Sequence, residues 1–220
     1  KIITTAAGLN NGFNPSSTLT GSNVITLPDT VTELTNYANQ KCNGQDAVTL
    51  QTAFALSCNT AFVEMSEQLG ADELRKYAKA FGVGENYDLG VSTSAGTLGD
   101  LPDGAATAQS AIGQRDVTMT ALQAAVMAGT VANKGTRMQP YLVNRITDAQ
   151  MKDVRTTKPK KADQAVNEET AATLTDLMYA SERSSWGYDG NGFASKTGTA
   201  EHGEGPVSYT HLTLPTICSV

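Results

Sequence analysis

The chain has 220 residues with a formal net charge of −6, and 40% of the residues are apolar while 17% are charged. That balance is typical of a globular protein, since disordered chains carry fewer apolar residues and more net charge. The length suits one compact domain, and a pI near 4.9 argues against binding to nucleic-acid phosphates. Composition therefore leaves soluble enzymes and binding modules open.

The first element predicted from the pattern is a helix at the start of the chain. Lys1–Leu9 has helix-like spacing, but no Ser, Thr, Asp or Asn stands before it as a cap. The residues after Lys1 do not resemble a secretory signal peptide. We therefore expect a fragment cut inside a helix, and a naturally processed terminus is the alternative.

Helical spacing dominates the next third of the chain. Thr18–Pro28 is rich in Ser, Thr, Gly and Asn, which predicts a loop with short extended pieces. Apolar residues recur over Leu50–Leu69, and the polar triplet Ser57-Cys58-Asn59 interrupts them, which predicts two helices that meet at this triplet. Gly70 predicts the end of the second helix, and Ala71–Phe81 predicts a third.

The middle of the chain alternates between loops and regular elements. Tyr87–Ala108 is glycine-rich and is predicted to be a loop. Thr118–Asn133 predicts a core helix of small residues, too short and too polar to span a bilayer. Met138–Ile146 predicts a strand with Pro140 near its start, and Asp148–Lys161 predicts a charged, exposed hairpin tip.

Two further elements precede the end of the chain. Asn167–Glu182 predicts a helix that Asn167 caps, and Gly192–Glu201 predicts a strand. No Cys or His pattern has the spacing of metal ligands, and His202 and His211 are interpreted as surface residues.

The last predicted strand contains a triplet with known chemistry. Lys196-Thr197-Gly198 is followed by Thr199. Serine acyltransferases that recognise penicillin combine a Lys-Thr-Gly triplet with a Ser-x-x-Lys helix and a Ser-Asp-Asn loop. The triplet 57–59 supplies Ser-x-Asn between two helices, and Lys1 would be the lysine of Ser-x-x-Lys, with its serine three residues earlier.

With these blocks the chain resembles the transpeptidase domain of a class B penicillin-binding protein of actinobacterial type. The resemblance covers about residues 1–205 and includes the segments Ser110–Gln114, Thr120–Gln123 and Ala132–Gly135, followed by Pro140. It implies an α+β fold of the penicillin-recognising serine transferase/β-lactamase type. Such a fold has an antiparallel sheet flanked by helices, and here we expect it to be incomplete at both ends.

The catalytic side chains follow from the chemistry of acyl transfer. A serine is a weak nucleophile and needs a base within hydrogen-bond reach, and a lysine one helical turn later lies on the same face. Burial and a second cation, Lys196, would lower the pKa of Lys1 so that its amine accepts the proton. Ser57 would relay a proton to the leaving amine, and Asn59 would hold the amide of the substrate.

The strand would bind the rest of the substrate. An edge strand can pair with an extended peptide, and Gly198 would keep its surface bare so that substrate approaches closely. The resemblance implies that the hydroxyls of Thr197 and Thr199 hold the carboxylate of the substrate or of penicillin. It also implies an oxyanion hole made by the N–H groups of Thr199 and of the serine.

The resemblance implies a D,D-transpeptidase that binds β-lactams and cross-links peptidoglycan stem peptides through an acyl-serine, without cofactor or metal. Its parent would be anchored at the extracytoplasmic face of the bacterial membrane and would work with cell-wall synthesis proteins, whereas this chain, without the serine, would be inactive. The alternatives are a β-lactamase or D,D-carboxypeptidase of the same fold and a non-catalytic penicillin sensor. The chain has no Glu-x-x-Leu-Asn loop of the class A β-lactamases.

Two cysteines and two aromatic residues carry further expectations. Outside the cytoplasm disulfides persist, so Cys42 and Cys58 could form a bridge that pins the Ser57 loop; two independent small residues are the alternative. Trp186 and Tyr188 would either line the cleft or cover the core.

The remaining expectations concern a turn and the domain limits. Gly113-Gln114 is expected to pack beneath the site without touching substrate. We interpret residues 1–206 as a partial transpeptidase domain. Residues 207–220 are interpreted as a suspect, non-native tail, because their amino-acid sequence resembles translated sequencing-adapter DNA. A divergent strand is the alternative.

Overall fold

The computed structural model describes the backbone of residues 1–202 and 205–214 and the side chains of residues 1–198. The helices are α1 (Ile2–Leu9), α2 (Leu50–Ala55), α3 (Asn59–Ala80), α4 (Gly104–Ala111), α5 (Ala121–Ala132) and α6 (Glu168–Arg183). The strands are β1 (Thr18–Thr20), β2 (Val24–Thr26), β3 (Glu33–Thr35), β4 (Ala47–Thr49), β5 (Thr136–Met138), β6 (Arg145–Thr147), β7 (Asp153–Thr156), β8 (Lys161–Gln164), β9 (Ala194–His202) and β10 (Gly205–Leu214).

Antiparallel strand pairs and helices share the fold. The pairs are β1–β4, β2–β3, β5–β8, β6–β7 and β9–β10. The longest pair, β9–β10, packs against α6 on the β9 side and against α5 on the β10 side. The expected α+β class with antiparallel strands and flanking helices is confirmed, although the described strands form two-stranded sheets instead of one continuous sheet.

Helix α1 lies inside the core because its small side chains let α3 and α6 approach closely. A Cβ added to Gly8 would lie only 2.8 Å from the sulfur of Met65. The buried hydroxyl of Thr4 donates to the carbonyl of Ala111 at 2.6 Å, so these two polar groups satisfy each other. This packing fixes the position of Lys1 immediately before the helix.

The two helices predicted over Leu50–Leu69 are present and meet at residues 56–58. The hydroxyl of Thr49 caps α2 by accepting from the Thr52 N–H at 3.2 Å. Gly70 interrupts α3 with φ +75°, a conformation that glycine adopts without steric cost. The predicted break between the second and third helices is therefore confirmed.

Two expectations in the middle of the chain are wrong. Residues 104–108, predicted as loop, belong to α4, whose first turn is capped by the Asp103 carboxylate accepting from the Ala106 N–H at 2.7 Å. Met138–Ile146 is not one strand, because β5 ends at Met138 and β6 begins at Arg145. Pro140, which has no N–H to donate, lies in the gap.

Helix α6 holds β9 in place. The Asn167 side chain accepts from the Thr170 N–H at 2.7 Å, which confirms the predicted cap. Near the other end of the helix, the buried Ser195 hydroxyl of β9 donates to the carboxylate of Glu182. That bond ties α6 to the residue directly before Lys196.

The segment expected to be foreign begins inside β10. Gly205–Leu214 pairs antiparallel with β9, with Ser208 opposite Thr199 and Tyr209 opposite Gly198. Residues 215–220 lie outside the described residues. Strand pairing does not bear on the origin of a sequence, so the foreign origin of 207–220 stays a prediction.

One glycine gives the fold a sharp test. Gly135 has φ +79°, and an added Cβ would lie 2.1 Å from the Val166 carbonyl oxygen. We expect Gly135→Ala to lower the free energy of unfolding by about 2–3 kcal/mol through this clash and the strained φ. Gly129→Ala is the matched control, because Gly129 lies in α5 with no described atom near the added Cβ. Urea unfolding in which both variants match the parent chain would contradict the packing.

Candidate active site

A cleft of about 790 Å³ opens where α2 meets α3. Its size is in the range of small-molecule sites. Lysine, amide, hydroxyl and aromatic side chains and three aliphatic ones line it: Lys1, Thr35, Asn36, Tyr37, Ala38, Asn39, Ala55, Leu56, Ser57, Asn59, Gln114, Ser184, Ser185, Trp186 and Thr197. No Asp or Glu is among these described lining residues, so the cleft wall presents ammonium, amide and hydroxyl groups.

Lys1 is held in the cleft by Asn59 and an aromatic ring. Its Nζ donates to Asn59 Oδ1 at 2.8 Å and lies 5.8 Å from the centre of the Phe62 ring. The other end of the Asn59 amide donates to the carbonyl of Thr35 at 3.1 Å. Burial lowers the pKa of the Lys1 side chain from 10.5 to about 8, because desolvation disfavours the charged form. Near neutral pH this amine can therefore both hold and accept a proton.

Lys196 lies next to the cleft and is more deeply buried. It is 7% exposed, and its Nζ donates to the carbonyl of Thr197 at 2.9 Å. The same Nζ is 5.5 Å from the centre of the Phe54 ring, which itself packs 6.5 Å from that of Phe62. The pKa of Lys196 is well below its usual value, first through burial and then through the positive charge of Lys1. The two lysines therefore interact electrostatically over one pair of aromatic rings.

Ser57 occupies a left-handed turn at the cleft wall. Its φ is +59°, which is uncommon for a residue with a side chain and is often seen at functional sites. The turn closes α2, with the Ser57 N–H donating to the Phe54 carbonyl at 3.1 Å. None of the side-chain hydrogen bonds among the described residues involves the Ser57 hydroxyl, so that group is available to a ligand in the cleft.

A disulfide joins the Ser57 turn to another segment of the cleft wall. Cys42 and Cys58 are bonded, with their Cα atoms 5.8 Å apart. Cys42 begins a short 3₁₀ turn, and its N–H donates to the Gly21 carbonyl at 2.8 Å. Cys58 directly follows Ser57 and precedes α3. The bridge therefore connects the segment that carries Tyr37 and Asn39 to the Ser57 turn.

Three of the predicted site residues, Thr197, Gly198 and Thr199, lie in β9. Thr197 lines the cleft, and its hydroxyl is 3.4 Å from Lys196 Nζ. A Cβ added to Gly198 would meet no described atom within 4 Å, so the strand has open space there. Thr199 lies in β9, and its side chain is outside the described residues.

Three cleft residues were misplaced, left open or missed by the sequence analysis. Gln114 was expected beneath the site, yet it lines the cleft at the end of a turn where Gly113 has φ +84°. Trp186 also lines the cleft and is 100% exposed, whereas Tyr188 is not among the lining residues. Tyr37, 73% exposed, lies in a segment with no recognisable motif, so no signal in the sequence marks it.

The described residues contain neither a recognisable metal centre nor a membrane span. No cluster of three or more His, Cys, Asp or Glu side chains is positioned to hold a metal ion within the described part of the chain. None of the helices seen there is long and apolar enough to cross a bilayer.

Comparisons with known proteins identify the family. A family profile described as "Penicillin binding protein transpeptidase domain" matches residues 1–214. The chain therefore belongs to the penicillin-binding protein transpeptidase family.

Mycobacterial proteins are among its relatives. The chain is 43% identical over 210 residues to the peptidoglycan D,D-transpeptidase PbpA of Mycolicibacterium smegmatis, covering 94% of this chain and 43% of that protein. It is 40% identical to PbpA of Mycobacterium tuberculosis with the same coverage. The chain thus spans less than half the length of these curated relatives.

Solved structures show the same fold. The imipenem acyl-enzyme complex of M. tuberculosis penicillin-binding protein A superposes with a TM-score of 0.90 at 38% identity, covering 96% of this chain and 50% of that one. The penicillin G acyl-enzyme complex of the same protein gives 0.87 at 40% identity, covering 92% and 46%.

Removal of the disulfide should weaken the site and the fold together. We expect a Cys42→Ser, Cys58→Ser variant to lose about 3 kcal/mol of unfolding free energy, because the bridge restricts the unfolded chain. We also expect faster amide hydrogen exchange over residues 36–44. Urea unfolding and hydrogen exchange measure the two effects, and the parent chain under reducing conditions is the control. Equal stability of the oxidised and reduced parent would argue against the pairing.

Proposed function

We propose that the chain is the catalytic part of a peptidoglycan D,D-transpeptidase that cross-links stem peptides and is acylated by β-lactams. The observation that carries the proposal is the Lys1 amine, with a pKa of about 8, bonded to Asn59 in a cleft that Ser57 and Thr197 also line. The names of the mycobacterial relatives and their acyl-enzyme complexes support it.

The first chemical step needs a nucleophile beside Lys1. We assign it to a serine three residues before Lys1 in the complete protein, one helical turn away and on the same face. Its oxygen attacks the carbonyl carbon of the substrate while the neutral Lys1 amine takes the hydroxyl proton. The bond between that carbon and the leaving nitrogen then breaks, and the nitrogen receives a proton through Ser57. A terminal amino acid leaves, or a β-lactam ring opens, and an acyl-serine remains.

The second step transfers the acyl group to an amine. The amino group of a second stem peptide attacks the acyl-serine and loses a proton to Lys1. A new amide forms as the bond from the acyl carbon to the serine oxygen breaks, and that oxygen takes the proton back. Water could compete, but a hydrolase needs a base for water, as class A β-lactamases use a glutamate. The described cleft lining contains no carboxylate, so it lacks the glutamate with which class A β-lactamases activate water.

Substrate binding is assigned to β9. The open space at Gly198 would let an extended peptide approach the strand. The hydroxyls of Thr197 and Thr199 would hold its carboxylate beside the Lys196 ammonium, and the Thr199 N–H would contribute to the oxyanion hole. Asn59 would act mainly by positioning Lys1, because its amide is already bonded to Lys1 and to Thr35.

We place this activity at the extracytoplasmic face of a bacterial membrane, in a membrane-anchored parent protein that works with cell-wall synthesis proteins. The Cys42–Cys58 disulfide supports this location, because such bonds persist in oxidising compartments and are rare in the cytosol.

Labelling with fluorescent penicillin tests the assignment of the nucleophile. We expect no covalent adduct on the 220-residue chain, and a stable adduct when Ser-Xaa-Xaa is added directly before Lys1. The same extension with Ala-Xaa-Xaa is the matched control and should stay unlabelled. Stable labelling of the unextended chain would place the nucleophile elsewhere. Loss of the label within seconds would instead favour a β-lactamase or D,D-carboxypeptidase.

The pH dependence of acylation tests the role of Lys1. Only the neutral amine accepts a proton, so the acylation rate of the serine-extended chain should rise with pH and level off above about 8. Stopped-flow fluorescence with a labelled penicillin measures this profile. Lys1→Arg is the control, because its guanidinium stays protonated and the rate should be low at every pH. A rate that does not change between pH 6 and pH 9 would remove Lys1 as the base.

A further inference from the structure

The hairpin of β6 and β7 stands apart from the cleft and from the core. We call residues 141–161 the basic arm. Within the described residues its two strands pair only with each other, so each keeps one unpaired edge. None of its residues lines the cleft. An exposed strand edge presents free N–H and C=O groups to any chain that can pair with it.

The basic arm also exposes apolar side chains. Leu142, Met151 and Val154 are 63%, 71% and 68% exposed, and Tyr141, Val143 and Ile146 are exposed as well. Single exposed apolar residues are ordinary, but several within one short segment mark a contact surface. The basic arm therefore presents apolar side chains that are not buried against the described part of the chain.

The charge of the basic arm is opposite to that of the rest of the chain. It contains six Lys and Arg residues against two Asp residues, a surplus of four positive charges. Because the whole chain carries −6, the residues outside the arm carry −10. The only ion pair of the arm within the described residues joins Arg145 to Asp153 at 3.6 Å. Most of its positive charge is therefore free to meet an acidic partner.

We propose that the basic arm is a docking site for an acidic protein segment, which adds as a strand to one of its free edges and covers its apolar side chains. Free edge hydrogen bonds, exposed apolar groups and unpaired cations fit an extended segment that alternates carboxylate and apolar residues. The proposal concerns a surface outside the cleft and does not depend on the catalytic activity.

The distribution of apolar groups favours a peptide over a lipid surface. Val154 and Arg155 are successive residues of β7 and point to opposite faces of the hairpin. Ile146 is the cross-strand partner of Arg155, so its side chain shares the face opposite to Val154. Apolar side chains thus occur on both faces, whereas an element that lies on a bilayer presents one apolar face.

The test uses a fluorescent heptapeptide of alternating Glu and Val and the complete chain. Anisotropy should show saturable binding that weakens at least tenfold in the Val154→Glu, Arg155→Glu variant and also weakens as salt rises from 50 to 500 mM. Lys79→Glu is the matched control, since Lys79 is an exposed cation on α3 outside the arm, and it should bind like the parent. Circular dichroism should be unchanged in each variant, because the altered side chains are exposed.

Four results would overturn the proposal. A loss of binding in Lys79→Glu equal to that in the arm variant would show unspecific charge attraction. Equal binding of a peptide N-methylated on alternate amides would show that the strand edges are not used. Cosedimentation with phosphatidylglycerol vesicles without binding to the peptide would identify a membrane surface. Self-association of the chain that Val154→Glu abolishes would identify a second copy as the occupant.

Discussion

The candidate site depends on one interaction, the approach of two lysine side chains over a pair of packed aromatic rings. Lys1 lies over Phe62 and Lys196 over Phe54. Burial removes water from both amines, and the charge of Lys1 further lowers the pKa of Lys196. Burying two positively charged groups costs free energy. In return, a buried amine can accept the proton of an alcohol near neutral pH.

The surrounding structure keeps this arrangement from relaxing. Helix α1 is clamped between α3 and α6, so Lys1 cannot withdraw into solvent without disturbing the core. On the other side, the buried bond from Ser195 to Glu182 holds β9 against α6. The disulfide ties the end of the Ser57 turn to the cleft wall. Rigid support of this kind is what a site needs to hold reacting groups in register.

Local signals in the sequence predicted much of the secondary structure, and the misses have physical causes. Asn167 marks the start of α6, and Gly70 marks the break in α3, because a cap and a positive φ depend only on neighbouring residues. Helix α4 was missed because the glycine-rich stretch before it was interpreted as a loop as far as Ala108, although the alanines of α4 favour a helix. Its helical state rests on the Asp103 cap and on burial of one face.

Three spaced blocks, around Lys1, Ser57-x-Asn59 and Lys196-Thr197-Gly198, indicate the family from the residues alone. Residue types and their order are enough for that, because acyl transfer needs a particular set of groups. The surroundings of these residues depend on how the chain folds. Desolvation lowers the pKa values of the two lysines. Contacts between segments far apart in the chain place Tyr37 and Gln114 in the cleft and bond Asn59 to Lys1. Neither effect can be inferred from the spacing of neighbouring residues.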